Sequence, residues 1–239
     1  MRIVITYICH NSFVLDAPGR SYLFDYPADT HLPPGAPDAV RRAVAGRDLT
    51  VFISHGHEDH LSGNLDAITA GAASVRTVLS DDVPELRPEA VPTRGKVFVV
   101  EADERYAFEG MEVHTLASND MGVAFLVEEQ GLRFYYGGDL AEWIWPGVSA
   151  REAEFTRSYF RAAMERVGEF RPHVVFSNAD PRLANKSGGE TACRMTGARV
   201  FVPMHTFGDT ASLAGFESDP GGPQVFSYER SGDRAEFEV

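Results

Sequence analysis

The chain has 239 residues, with 22 Lys and Arg against 35 Asp and Glu and a formal net charge of −13. A composition that is 44% hydrophobic and 24% charged is that of an ordinary globular protein and excludes disorder. So negative a charge repels phosphate backbones and argues against general nucleic-acid binding.

A chain of this length buries roughly 70% or more of the surface its unfolded form exposes, so it needs no disulfide staples. The two cysteines, Cys9 and Cys193, are too few for a disulfide framework and suit a reducing compartment. The apolar run Arg2 to Ile8 is short, and Cys9-His10-Asn11-Ser12 interrupts it before a secretory core forms. No stretch approaches the roughly 18 apolar residues that span a membrane. The expected location is the cytoplasm.

The first third reads as strands. Ile3 to Ile8, Phe13 to Asp16 and Ser21 to Tyr26 are short β-prone runs, with a hairpin turn at Ala17-Pro18-Gly19-Arg20. Pro33-Pro34-Gly35 marks a loop, and a short helix is expected over Asp38 to Ala45. Leu49 to Ile53 is a continuous apolar strand of the kind buried on both faces, ending at Ser54. A helix over Leu65 to Ala70 and a strand over Arg76 to Leu79 follow, and the acidic stretch from Asp81 to Glu109 reads as a solvated face.

The middle alternates again, with strands over Val97 to Val100, Met111 to Leu116, Val123 to Val127 and Leu132 to Tyr136, the last two joined at Gln130-Gly131. Ala150 to Phe170 is the best helix, with Phe155, Tyr159, Ala163 or Met164, and Val167 on one face. Pro172 ends it. A strand at His173 to Ser177, a helix at Gly189 to Met195 and a strand at Arg199 to Pro203 come next. The segments Gln224 to Tyr228 and Arg234 to Val239 suggest a last hairpin. With no repeat or linker, 1–239 reads as a single domain. Its pattern suggests an α/β (α+β) arrangement of two sheets with helices outside them.

The chemistry concentrates in His55-Gly56-His57-Glu58-Asp59-His60, which holds three of the eight histidines. The segment follows a buried strand, where α/β folds place their sites. Imidazole and carboxylate together suit zinc, with iron or manganese as substitutes. His55 and His57 can turn two imidazoles towards one ion, and Asp59 and His60 can face a second. Further ligands must come from elsewhere, and two stand at strand ends: Asp139, after Gly137-Gly138, and His205, after Phe201-Val202-Pro203-Met204.

The order strand, His-x-His-x-Asp-His, Gly-Gly-Asp and strand-end His resembles the metallo-β-lactamase-fold hydrolase superfamily, over about Ile3 to His205. The opening Tyr7-Ile8-Cys9-His10-Asn11-Ser12, followed by Phe24-Asp25-Tyr26, resembles its ascorbate-lactonase-like branch, which has a similar Gly-His-Ser and a later Asp-Pro. The resemblance implies an αββα sandwich of two mixed β-sheets flanked by helices, built around two divalent metal ions. It implies His55 and His57 on the first ion, Asp59, His60 and His205 on the second, and Asp139 bridging.

One departure stands out. The superfamily usually supplies another metal-binding histidine between the cluster and the bridging aspartate, and here that stretch reads Thr115-Leu116-Ala117-Ser118-Asn119-Asp120-Met121-Gly122-Val123. His114 lies a few residues early. Asn119 or Asp120 offers oxygen instead of imidazole, as water does, and an oxygen ligand favours harder ions such as manganese.

The expected activity is that of a metal-dependent hydrolase in which a metal-bridged hydroxide attacks an ester, lactone or phosphodiester of a small molecule. Asp59 is a candidate to orient the water or move its proton, and His10 to contact substrate. Trp143 and Trp145 are candidate pocket walls, and Arg182 either holds an anionic substrate or makes a surface ion pair. Cys9 reads as a small buried hydrophobe. The expected partner is a small-molecule substrate, with no nucleic acid and no membrane; a homo-oligomer is compatible. Two rivals stay open: a phosphodiesterase or nuclease of the same fold, and a non-catalytic metal- or ligand-binding protein with a degenerate first site.

Overall fold

A computed structural model describes residues 1–216 and 220–239. They divide into two units, residues 1–101 with 228–239, and residues 102–227. Each unit is organised around one mixed seven-stranded sheet.

In the first unit, β1 (Arg2–Cys9), β2 (Ser12–Ala17) and β3 (Arg20–Phe24) form an antiparallel meander. β4 (Asp48–Ile53), β5 (Ser74–Ser80) and β6 (Lys96–Val100) continue parallel from β3. The helices α1 (Ala36–Val44), α2 (Leu65–Ile68) and α3 (Asp82–Leu86) lie along the connections. Val40, Val44, Leu65, Ile68 and Val83 pack with Ile8, Val14, Leu23, Val51 and Ile53 into one apolar cluster. Those strand residues alternate along the chain, so the helices cover one face of the sheet.

In the second unit, β7 (Arg105–Phe108), β8 (Met111–Ala117), β9 (Val123–Glu129) and β10 (Leu132–Tyr136) run antiparallel. Parallel to β10 come β11 (Val174–Asn178), β12 (Val200–Met204) and β13 (Gln224–Val225). The helix α4 (Ala150–Phe170) spans the residues that its periodicity predicts. It begins in a capping box, with Ser149 and Glu152 each satisfying the other's backbone N–H. Its buried face is Phe160, Ala163, Met164 and Val167, packed with α5 (Gly189–Met195) over Tyr135, Val175 and Phe201.

Two expectations need correction. Phe155, assigned to the buried face of α4, is 70% exposed, because only the later turns of the helix cover apolar strand residues. The C-terminal hairpin does not form: β13 pairs parallel to β12, whereas β14 (Arg234–Glu238) pairs antiparallel to β1. Each segment satisfies the open edge of a different sheet instead of the other segment. The acidic stretch from Asp81 to Glu109 is mostly exposed or half-buried, as a solvated face should be, and it carries the expected strand β6 together with α3 and β7. Cys9 is buried as expected, and burial pushes its thiol up to about 12.

No described helix is long and apolar enough to cross a membrane.

Candidate metal centre

Topology brings the chemistry to one edge of each sheet. Because β3 and β4 are parallel and β1 is antiparallel to β2, the His10 turn, Asp25 and the histidine cluster all emerge at the same end of the first sheet. The second sheet repeats the scheme. The β8–β9 turn with Asn119 and Asp120 lies at the end where β10, β11 and β12 deliver Asp139, Asp180 and His205.

In the first unit, His55 Nε2 and His57 Nδ1 are 3.0 Å apart. The other nitrogen of His55 donates to Ser54 Oγ at 3.0 Å, and that hydroxyl donates in turn to Asp25 Oδ2 at 2.7 Å. This chain of donors leaves His55 Nε2 as the lone-pair nitrogen. His60 Nδ1 donates to the same Asp25 oxygen at 2.6 Å, which keeps the lone pair of His60 on Nε2. Asp25 also accepts the Ser54 N–H at 2.8 Å. A single buried carboxylate therefore fixes the tautomer of two imidazoles.

The loop itself is pinned by backbone. Gly56 N–H donates to Asp82 Oδ2, Tyr26 N–H to the His60 carbonyl and Ala28 N–H to the Glu58 carbonyl. His10 is 7% exposed; its Nε2 lies 3.5 Å from Asp59 Oδ2, and a ring nitrogen lies within 4.8 Å of one of His60. The structure thus pairs His55 with His57, and His10 with Asp59 and His60, as two neighbouring donor groups.

In the second unit, His205 Nε2 lies 3.5 Å from Asp139 Oδ1, and its Nδ1 donates to Asp180 Oδ2 at 3.2 Å. Burial raises the Asp180 pKa, but hydrogen bonds from His205 and from Arg182 outweigh it and hold the carboxyl well below the usual range. Arg182 grips Asp180 through Nε and Nη2, and its guanidinium lies 3.8 Å over the Phe207 ring. The expected ion pair is therefore present, with Arg182 bracing the partner of a histidine.

Gly137 and Gly138 have separate reasons to be glycine. A Cβ at Gly137 would sit 3.2 Å from the Phe176 carbonyl oxygen, and Gly138 has φ +48°. Trp143 Nε1 donates to the Asp139 carbonyl, and its ring meets the His205 ring at 5.1 Å. Trp145 stacks on Trp143 at 6.1 Å and is 41% exposed. His114 lies within β8 and lines a cavity of about 260 Å³ with Arg105, Arg166 and Phe170. It joins none of the metal-capable groups among the described residues.

The donor chemistry fits divalent cations. Imidazole nitrogens 3.0 Å apart, histidines oriented by carboxylates, and an Asp139 oxygen 3.5 Å from an imidazole are the donor types that cation sites use. Asp25, Ser54, Asp180 and Asn119 were missed as orienting groups. Asp25 and Asp180 had a readable signal, an acidic residue one or two positions past an apolar strand, the same signal that singled out Asp139.

A family profile described as Beta-lactamase superfamily domain matches residues 4–146, more than half of the chain. Comparison with curated proteins finds no match. Among solved structures the chain is similar to Igni18, a metallo hydrolase from Ignicoccus hospitalis, with 17% identity, 100% of each chain covered and a TM-score of 0.65. It is also similar to the metallo-β-lactamase-fold protein YhfI from Bacillus subtilis, with 13% identity, 99% of each chain covered and a TM-score of 0.63. CmlA, a diiron β-hydroxylase from Streptomyces venezuelae, matches 99% of this chain and 54% of its own at 13% identity, with a TM-score of 0.55. At such identities the likeness carries the fold. The two mixed sheets, the order of the strand-end donors and the profile match agree: the chain belongs to the beta-lactamase superfamily and has the metallo-β-lactamase fold.

Proposed function

We propose that this chain is a metal-dependent hydrolase of small molecules, acting on an ester, lactone or phosphodiester, with a lactonase-like substrate preferred. The observation that carries the reading is one carboxylate–histidine support in each unit, Asp25 with His60 in the first and Asp180 with His205 in the second, together with the adjacent nitrogens of His55 and His57 in the first. Carboxylates that orient imidazoles in this way are the usual support of metal-ligating histidines.

In this reading His55 and His57 would hold one divalent ion, Asp59, His60 and His205 would hold the other, and Asp139 would contribute to both. Zinc suits the imidazole-rich set, with manganese or iron as substitutes. Two cations bound there supply acidification of a shared water and stabilisation of the negative charge that develops on the attacked carbonyl or phosphoryl group. The chain's own residues do the rest. The Asp59 carboxylate, 3.5 Å from His10, accepts and passes on the proton of the attacking water, and His10 donates to the substrate oxygen. Trp143 and Trp145 form an aromatic wall beside His205. A net charge of −13 favours small substrates over polynucleotides, and the cytoplasm remains the expected location.

The test is metal content per chain by elemental mass spectrometry on protein purified without chelators, for the native chain and for His57→Ala. Lactones, aryl esters and phosphodiesters are then screened with both. Two ions per native chain, fewer in the variant, and hydrolysis that disappears with His57 are expected. A native chain that takes up no metal and hydrolyses nothing sinks the reading.

A further inference from the structure

We infer that the cavity walled by Arg105, His114, Leu126 and Phe170 is a second ligand site, and that it takes a small organic monocarboxylate with an apolar body. It lies wholly within the second unit and uses none of the residues of the metal centre.

The sheet register builds it. Arg105 of β7 is paired with His114 of β8, His114 with Leu126 of β9, and Leu126 with Tyr135 of β10. Residues directly opposite on neighbouring strands share a face, so these four side chains form one row across the sheet. Leu126 and Tyr135 belong to the apolar cluster that α4 covers with Phe160, Met164 and Val167. His114 and Arg105 carry the row beyond that cluster to the sheet edge, where the end of α4 contributes Arg166, Glu169 and Phe170. Helix and strands together line a cavity of about 260 Å³ there. Arg166 Nη1 donates to Asp103 Oδ1 at 2.7 Å, which ties the end of α4 to the segment leading into β7.

The lining sets the ligand's chemistry. Arg166 is matched by Asp103, whereas the Arg105 guanidinium makes no hydrogen bond or ion pair among the described residues. The half-buried His114 ring meets the Phe170 ring at 6.1 Å and hydrogen-bonds to no described residue. Burial first, and then the charge of Arg105, lower the His114 pKa, so at neutral pH the imidazole is uncharged and offers one N–H. One unmatched guanidinium fork beside one neutral donor suits a single carboxylate. Leu126 and Phe170 supply apolar surface for the rest of the ligand.

Glu104 and Glu169 also line the cavity and are exposed. Their charges repel a second negative charge on the ligand, which disfavours phosphate and dicarboxylates. The volume falls below the roughly 300–1,000 Å³ of sites for drug-sized ligands, so the occupant is small.

The experiment follows the imidazole itself. The full chain, carrying isotope-labelled histidine, is titrated at fixed pH with benzoate, acetate and inorganic phosphate in turn. The ring signal of His114, identified by its loss in His114→Gln, is followed by NMR. Arg105→Gln is titrated in the same way, with thermal unfolding as the check on folding. Arg105 is exposed on an edge strand, so its replacement leaves the core intact.

Benzoate is expected to shift the His114 signal saturably, and acetate, which lacks the apolar body, to bind tenfold or more weakly. Phosphate should leave the signal in place, and Arg105→Gln should weaken benzoate tenfold or more. A His114 signal that neither carboxylate moves overturns the site. Benzoate binding that Arg105→Gln leaves unchanged does the same, because the carboxylate then sits elsewhere. A phosphate shift as large as that of benzoate also overturns it, since the cavity would then be an unselective anion patch.

Discussion

Asp25 accepts a 2.6 Å hydrogen bond from His60 Nδ1, and both side chains are fully buried. In the second unit Asp180 does the same for His205. Each carboxylate fixes which imidazole nitrogen keeps its lone pair. Supporting groups of this kind typically set 10–100-fold of metal affinity. Asp25→Asn is therefore expected to lower affinity by about 10–100-fold, and Asp180→Asn to act similarly on the ion at His205. Competition with a chromogenic chelator measures both. Unchanged affinity in either variant would remove that carboxylate from the centre.

The contrast within α4 gives a stability test. Phe160 is fully buried among Tyr135, Val175 and Phe201, whereas Phe155 is 70% exposed on the same helix. Phe160→Ala should destabilise the chain by about 3–5 kcal/mol through lost burial and a residual cavity. Phe155→Ala should change stability by no more than about 0.5 kcal/mol. Urea unfolding followed by circular dichroism distinguishes them, and equal effects would show that the helix buries a different face.

Asp66 predicts part of the acid limb of the stability curve. Partial burial raises its pKa, but hydrogen bonds from the Thr93 hydroxyl and from the N–H groups of Thr93 and Arg94 outweigh this and lower it. A carboxyl lowered on folding contributes fully above its unfolded pKa of about 3.9, and the contribution is lost as pH falls through the lowered folded value. Native chain and Asp66→Asn should therefore differ in urea midpoint at pH 5 and converge as pH falls below the lowered folded value. A difference that persists unchanged at low pH would contradict this sign.

Much of this arrangement was legible in the residues. Periodicity marked α4 from Ala150 to Phe170, and apolar runs marked β4 and β12 together with the candidate donors that follow them. What escaped was decided by partners distant in sequence. β14 pairs with β1 across more than two hundred residues, and no local pattern in Arg234 to Glu238 distinguishes that from a hairpin. The two hydrogen bonds between the Asn119 amide and the Ala141 backbone are equally invisible, because an asparagine in the turn Ser118-Asn119-Asp120 reads as ordinary turn chemistry. The short strand β7 was hidden by its charges, since only Tyr106 and Phe108 carry its apolar spacing.

The backbone at this centre is itself unusual. His10, Asp25 and His205 have φ of 47°, 37° and 64°, a left-handed region that side chains with a Cβ occupy at a cost of about 1–3 kcal/mol each. Glycine would relieve that strain at all three positions. Glycine at residue 25 would, however, leave the Ser54 N–H and the His60 Nδ1–H buried without their acceptor, so the strained backbone persists because the surrounding hydrogen bonds depend on the side chain that carries it.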